Sequence, residues 1–155
     1  MQTATRTTID LGGIEIRFLV EAEESGGTAT VFECRVPADA KVPVPHSHDA
    51  FEETVYGLEG VTTFTVDGTT RDIGPGEALC IQRGQVHQFV NHGAADANFL
   101  SVATPGVFGP AYFQEIRDVL TARAGGPPDV AALVEVMRRH GLTPAPPSGL
   151  ASTSR

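Results

Sequence analysis

Short runs of β-branched and aromatic residues, separated by clusters of Gly, Pro and Asp, recur along this chain as far as Thr104. Runs of this length and spacing are typical of an antiparallel sandwich or barrel. The pair Asp67-Gly68 lies between two of them and favours a tight hairpin, because both positions of such a turn need positive φ. We therefore predict eight strands, at residues 14–20, 28–36, 53–58, 61–66, 70–73, 78–82, 86–90 and 97–103.

After Thr104 the hydrophobic period changes from that of strands to that of helices. One amphipathic stretch ends at the Gly and Pro residues of positions 125–128, and Asp129 is suited to cap a second. A chain of 155 residues favours a single domain. We predict a β-barrel over residues 1–104, a helical extension packed on it over 105–142, and a disordered tail rich in Pro, Ser and Ala over 143–155.

The charge balance argues against several kinds of partner. Eleven Lys and Arg residues against 19 Asp and Glu residues give a net charge of −8, which disfavours nucleic acid and anionic lipid. No apolar run approaches the ~18 residues that indicate a transmembrane helix. The first ten residues lack the apolar block of a secretory signal. We expect a cytoplasmic protein that binds neither nucleic acid nor membranes.

Two histidines separated by one residue are the first indication of chemistry. In an extended strand, His46 and His48 lie on one face, roughly 6.5–7 Å apart at the backbone. Their imidazoles can then converge on one ion at the ~2.0–2.1 Å bonding distance. The pair alone is weak evidence for a metal site.

A carboxylate and a third imidazole strengthen the case. Glu52 and Glu53 follow the histidine pair, and His87 lies in a separate predicted strand. Three histidines and one glutamate form a nitrogen and oxygen donor set suited to Fe, Mn, Co, Ni or Zn. In six-coordinate geometry this set leaves two positions for water, O₂ or substrate, which is typical of a catalytic site. Strand alternation does not decide between Glu52 and Glu53, because residues 49–51 interrupt the strand.

The spacing of these residues resembles the first motif of the cupin superfamily. The run His46-Ser47-His48, then four residues, Glu53, six residues and Gly60 matches the pattern HxHx(3,4)Ex(6)G. The resemblance selects Glu53 over its neighbour. It implies that Glu53 and the two histidines are ligands of one divalent transition metal ion.

A second stretch resembles the second cupin motif, G(x)5PxGxxHxxxN. Gly76, seven residues, Gly84, two residues, His87, three residues and Asn91 match it, whereas Gln82 stands in place of its proline. The resemblance adds His87 to the metal ligands. It implies an all-β jelly-roll barrel of two antiparallel sheets, here followed by two C-terminal α-helices, and a homodimer.

The helices after the barrel also resemble those of small single-domain cupins similar to quercetin dioxygenase. The resemblance implies a mononuclear metal-dependent dioxygenase, an oxidoreductase acting on a small aromatic or enolizable substrate. In this interpretation Glu53 is a ligand that also accepts a proton, and so has a catalytic role. Two alternatives stay open, which are a non-redox isomerase, cyclase or lyase using the ion as a Lewis acid, and a non-enzymatic small-molecule-binding cupin.

Three further residues are candidates for the substrate pocket. Phe89 lies two positions after His87 and shares its face of the strand. Phe64 lies on the same face of its strand as Val66. Gln82 lies at a strand end. Its side chain would hydrogen-bond a bound oxygen if it pointed inward, although a polar residue at a strand end usually points to solvent.

Overall fold

The computed structural model describes residues 5–42, 44–123 and 125–145. Within them the chain forms eleven strands and three helices. The strands are β1 (Thr8–Asp10), β2 (Glu15–Val20), β3 (Thr30–Val36), β4 (His46–His48), β5 (Glu52–Glu59), β6 (Thr62–Val66), β7 (Thr69–Ile73), β8 (Ala78–Ile81), β9 (His87–Val90), β10 (Ala97–Thr104) and β11 (Leu142–Pro144). The helices are α1 (Ala22–Ser25), α2 (Pro110–Ala122) and α3 (Val130–Arg139).

Two antiparallel sheets enclose the core. One has six strands in the order β1-β2-β3-β10-β5-β8, and the other has five in the order β11-β4-β9-β6-β7. Several neighbours, such as β3 with β10 and β4 with β9, are far apart in sequence. This topology, with helices after the barrel, confirms the predicted cupin-type jelly roll.

Local sequence explains the turns that set the strand register. Asp67 and Gly68 both have positive φ, 47° and 82°, so the predicted hairpin between β6 and β7 is confirmed. Gly60 has a φ of 65°, and a Cβ atom there would lie 2.8 Å from the backbone oxygen of Asp96. Only glycine fits this position, which explains its place in the motif.

Asp129 caps α3 as predicted, and α2 begins at a proline that the sequence prediction did not use. Pro110 lies in the first turn of α2, and the Asp129 side chain accepts a hydrogen bond from the backbone N–H of Ala132 at the start of α3. The helices contact each other, and α2 packs against β1. None of the helices in the described ranges is long and apolar enough to cross a membrane.

The structure corrects the sequence prediction near both termini. β1 and the single-turn α1 were not predicted, because both are too short to show a period. The tail predicted from residue 143 begins too early, since β11 pairs with β4, with Leu142 opposite His48 and Pro144 opposite His46. Backbone pairing, rather than hydrophobic alternation, holds this strand. Residues 146–155 of the predicted tail lie outside the described residues.

Candidate metal centre

Two adjacent strands bring three imidazoles together. His46 and His48 come from β4, and His46 is the register partner of His87 on β9. All three histidines are buried, and each offers a ring nitrogen within 4.8 Å of those of the other two. Since ligands of one ion lie about 2.0–2.1 Å from it, small side-chain rotations bring the three nitrogens to bonding distance. The three histidines can therefore bind a metal ion.

The opposite sheet contributes a carboxylate. Glu53 on β5 places Oε2 3.7 Å from Nε2 of His48 and 3.7 Å from Nε2 of His87. Glu52, by contrast, faces outward, where its Oε1 lies 2.8 Å from Nε of Arg83. The structure thus brings Glu53, and not Glu52, to His48 and His87, at the point where the two sheets face each other.

Hydrogen bonds orient two of the imidazoles. The Nδ1–H of His46 donates to the backbone oxygen of Val44 at 2.9 Å, and the Nδ1–H of His87 donates to that of Gln85 at 3.0 Å. A neutral imidazole that donates from Nδ1 has its lone pair on Nε2. The hydrogen bond from Nδ1 to a backbone carbonyl therefore leaves Nε2 free to bind a metal ion, which is the usual arrangement of histidine ligands.

The third imidazole is held differently. Nδ1 of His48 is buried and has no hydrogen-bond partner among the described residues. Its ring instead stacks on Phe51, with ring centroids 4.2 Å apart and planes at 18°. Phe51 in turn stacks on Phe108, with centroids 5.0 Å apart. Aromatic packing thus takes the orienting role that hydrogen bonds have at the other two histidines.

Burial and mutual attraction set the protonation states. Burial lowers the pKa of His46 to about 3 and that of His48 to about 4, so both are neutral at pH 7. Burial alone would raise the pKa of Glu53, but the attraction of His87 and His48 and the hydrogen bond from Ser101 lower it to about 2. For His87, burial lowers the pKa but Glu53 outweighs it and raises the pKa. The neutral imidazoles of His46 and His48 beside an ionised carboxylate fit a divalent transition metal ion, whose binding would displace any proton on His87.

The centre lines a cavity of about 350 Å³. Phe64 and Phe89 lie on its wall, as predicted for pocket residues. Gln82 does not, and its prediction as a pocket residue is wrong. It is exposed directly after the buried Ile81, because successive strand residues point to opposite faces, and its backbone N–H donates to Oε1 of Gln85 at 2.8 Å.

Sequence reasoning missed two features of the site. Ser101 on β10 is fully buried and donates a 2.7 Å hydrogen bond to Oε1 of Glu53. The sequence does contain a signal for this residue. Ser101 is a hydroxyl residue on the inward face of a predicted strand, between the apolar Phe99 and Ala103. The second feature is the part of the cavity wall that follows the barrel: Phe108, Tyr112, Phe113, Ile116, Leu120, Leu133 and Met137.

Comparison with known proteins shows what the barrel and its site are similar to. Residues 32–103 match the Cupin domain family, and this range includes all three histidines and Glu53. A comparison with curated proteins finds no match.

Solved structures of cupins resemble this chain. A sugar phosphate isomerase of the cupin superfamily from Silicibacter pomeroyi is 29% identical, with a TM-score of 0.53, over 61% of this chain and 60% of its own length. A predicted oxalate decarboxylase from Thermotoga maritima is 26% identical, with a TM-score of 0.58, over 65% of this chain and 92% of its own. The polyketide cyclase RemF from Streptomyces resistomycificus shares the fold at 24% identity, with a TM-score of 0.57, over 77% and 97%. The domain match over residues 32–103 and the shared fold show that this part of the chain is similar to cupins and has their fold.

Proposed function

We propose that this protein is a metal-dependent enzyme of the dioxygenase type that acts on a small aromatic or enolizable substrate. The observation that carries the proposal is one cavity lined by three imidazoles, a carboxylate and otherwise mostly apolar side chains. A structural metal site would be closed by protein ligands, whereas this donor set faces a space large enough for a small molecule.

The cavity wall supports an apolar substrate. Phe64, Phe89 and Phe99 form one aromatic cluster on the wall, with ring centroids 5.2–5.6 Å apart. Apart from the histidines, Lys41 is the one basic residue on the described lining, and it is exposed. Phosphates and dicarboxylates need several cationic or donor groups, so the wall favours a flat, mainly hydrocarbon molecule with a few oxygen atoms.

Glu53 is the group best placed to move a proton. Its carboxylate is ionised at neutral pH, since its pKa is about 2, and it therefore acts as an acceptor rather than as an acid. Ser101 occupies Oε1, which leaves Oε2 directed towards His48 and His87. A hydroxyl or activated C–H of a substrate at the histidines would meet this oxygen. A bound divalent transition ion would supply Lewis acidity and, if redox-active, chemistry with O₂.

Oxygen consumption tests the proposal. The purified protein would be loaded separately with Fe²⁺, Mn²⁺, Co²⁺ and Ni²⁺ and mixed with flavonols and β-diketones in an oxygen-electrode cell. We expect O₂ uptake equal to substrate loss in at least one metal form. His87→Ala should abolish the uptake, whereas replacement of the exposed His92 should not. Uptake at background in every form would contradict the dioxygenase assignment.

A non-redox reaction is the second candidate function. Two of the solved structures described above, at 29% and 26% identity, are named as an isomerase and as a predicted decarboxylase. The same carboxylate would serve such a reaction by accepting a proton next to a carbonyl group. Conversion of a β-dicarbonyl substrate by the Zn²⁺ form without oxygen would favour this candidate. Ligand binding without conversion in any form would instead indicate a binding protein.

A further inference from the structure

The lining of the cavity contains one hydroxyl group, that of the largely buried Tyr112, and it has no hydrogen-bond partner among the described residues. Apart from the four residues of the metal centre, its polar side chains within the described ranges are those of Cys34, Lys41 and Tyr112. Lys41 is exposed, and a thiol such as that of Cys34 is a weak donor. Tyr112 is only 7% exposed, and its hydroxyl makes no hydrogen bond to another described residue. Buried phenols nearly always have a hydrogen-bond partner, so this hydroxyl is available to water or to a ligand in the cavity.

Tyr112 lies close to the metal centre although it belongs to α2, outside the barrel. Its ring packs on Phe108, with centroids 4.8 Å apart, and the ring of Phe108 lies 5.9 Å from that of His48. One aromatic ring therefore separates Tyr112 from a metal-facing histidine. Burial, together with the charge of Glu53, raises the pKa of Tyr112, so its hydroxyl keeps its proton at neutral pH.

The groups of the metal centre are engaged mainly with the backbone and with one another. His46 and His87 use their Nδ1 protons on backbone carbonyls, and Nε2 of His87 faces the carboxylate of Glu53 at 3.7 Å. Glu53 is an ionised acceptor. On the described lining outside the metal centre, a substrate carbonyl or ether oxygen therefore finds its strong donor at Tyr112.

We propose that Tyr112 is a substrate-binding residue that donates a hydrogen bond to an oxygen atom on a different part of the substrate from the part at the metal centre. The inference rests on the proposed function for the kind of ligand. It narrows that ligand to a flat, mainly apolar molecule with at least two oxygen atoms. A pocket built to satisfy a particular polar group also discriminates against analogues that lack its partner.

An acceptor-only probe tests this donor without turnover. The full-length protein, treated with a chelator, would be titrated with 1-acetonaphthone and with 1-ethylnaphthalene, which has a similar shape but no oxygen. We expect the wild type to bind the ketone more tightly, and Tyr112→Phe to weaken ketone binding about two- to tenfold while leaving the hydrocarbon unaffected. The infrared carbonyl stretch of the bound ketone should lie at lower frequency in the wild type than in Tyr112→Phe.

Phe113→Leu is the matched control, because Phe113 also lines the cavity on α2 but has no donor. It should weaken the binding of both probes alike and leave the carbonyl frequency unchanged. The proposal is overturned if Tyr112→Phe leaves ketone binding and the carbonyl frequency unaltered, if it weakens both probes equally, or if neither probe binds the wild type. Because no metal or turnover is involved, these outcomes are independent of the oxygen-uptake assay, whose failure would remove the proposed reaction alone.

Discussion

Ser101 Oγ donates a 2.7 Å hydrogen bond to Oε1 of Glu53, a residue 48 positions earlier in the chain. The two side chains come from neighbouring strands, since β10 and β5 pair with Ser101 opposite Val55. The bond fixes the carboxylate, so that its other oxygen faces His48 and His87. A group outside the ligand set therefore determines which way the acidic ligand points.

Replacement of this hydroxyl should weaken metal binding. We expect Ser101→Ala to lower Zn²⁺ affinity about 10- to 100-fold, the usual effect of losing a partner of a metal ligand. Competition with a chromophoric chelator measures the affinity. Ser47→Ala is the control, since Ser47 lies between His46 and His48 but faces the opposite side of β4. Equal affinities for Ser101→Ala and the wild type would contradict this role.

The three histidines should be required together for metal binding. We expect His46→Ala, His48→Ala and His87→Ala each to lower Zn²⁺ affinity by more than about 100-fold, because three ligands fix an ion far better than two. Elemental analysis of the dialysed proteins gives metal content per chain. His92→Ala should keep the wild-type content, since His92 is exposed. Full metal content in any of the three variants would remove that histidine from the ligand set.

Stacking on Phe51 should help to orient His48. Phe51→Leu removes a ring 4.2 Å from an imidazole that lacks a hydrogen bond at Nδ1. Aromatic pairs contribute about 0.5–1.5 kcal/mol beyond burial, so we expect Zn²⁺ affinity to fall about two- to tenfold. Phe64→Leu is the control, because Phe64 is equally buried but packs on Phe89 and Phe99. Both variants should lose similar stability in denaturant, and only the first should lose affinity.

The metal-free protein should lose stability in mild acid. His46 and His48 have pKa values of about 3 and about 4 in the folded chain, against about 6.5 when unfolded. Between pH 6.5 and 4.5 the unfolded chain therefore binds more protons, and the free energy of unfolding falls as the pH falls. The raised pKa of His87 contributes stability that is complete below pH 6.5 and is lost at higher pH, so it does not oppose this trend.

The slope in this window is expected to reach up to about 1.4 kcal/mol per pH unit for each of the two histidines. Urea denaturation of chelator-treated protein at several pH values measures it. His48→Gln should reduce the slope, whereas His92→Gln should not. A constant free energy of unfolding from pH 6.5 to 4.5 would contradict this prediction, because it would mean that the folded and unfolded chains take up equal numbers of protons.

The homodimer implied by the cupin resemblance stays a prediction. On the outer face of the six-stranded sheet, Tyr56 is 42% exposed and lies opposite the half-buried Leu100. We expect light scattering to give twice the mass of one chain. Tyr56→Glu should yield the monomer, and Arg71→Glu on β7 of the other sheet should leave the dimer intact. A monomeric wild type would end this prediction.

The sequence predicted most of the barrel and the histidine set, because both depend on short-range patterns. Alternation marks strands, and a spacing of two puts His46 and His48 on one face. The choice between Glu52 and Glu53 depended on family spacing, since the break after β4 removes the alternation that would decide it. Ser101 and Tyr112 were not recognised as site residues, because their contacts join distant parts of the chain. Gln82 was a pocket candidate only if its side chain pointed inward, but it follows the buried Ile81 and is exposed.

β11 fastens the end of the described chain to the free edge of β4, which carries two of the three metal-facing histidines. Asp49, directly after β4, receives a hydrogen bond from the hydroxyl of Thr143 and donates one from its backbone N–H to Gly141. Removal of the chain after Gly141 by an exopeptidase would therefore remove β11. This one loss would expose the edge of β4 and break the connection between β4 and the helices. An affinity tag is accordingly better placed before Met1 than after Arg155. If bound metal is lost on storage, intact-mass spectrometry should first show whether residues after Gly141 have been removed.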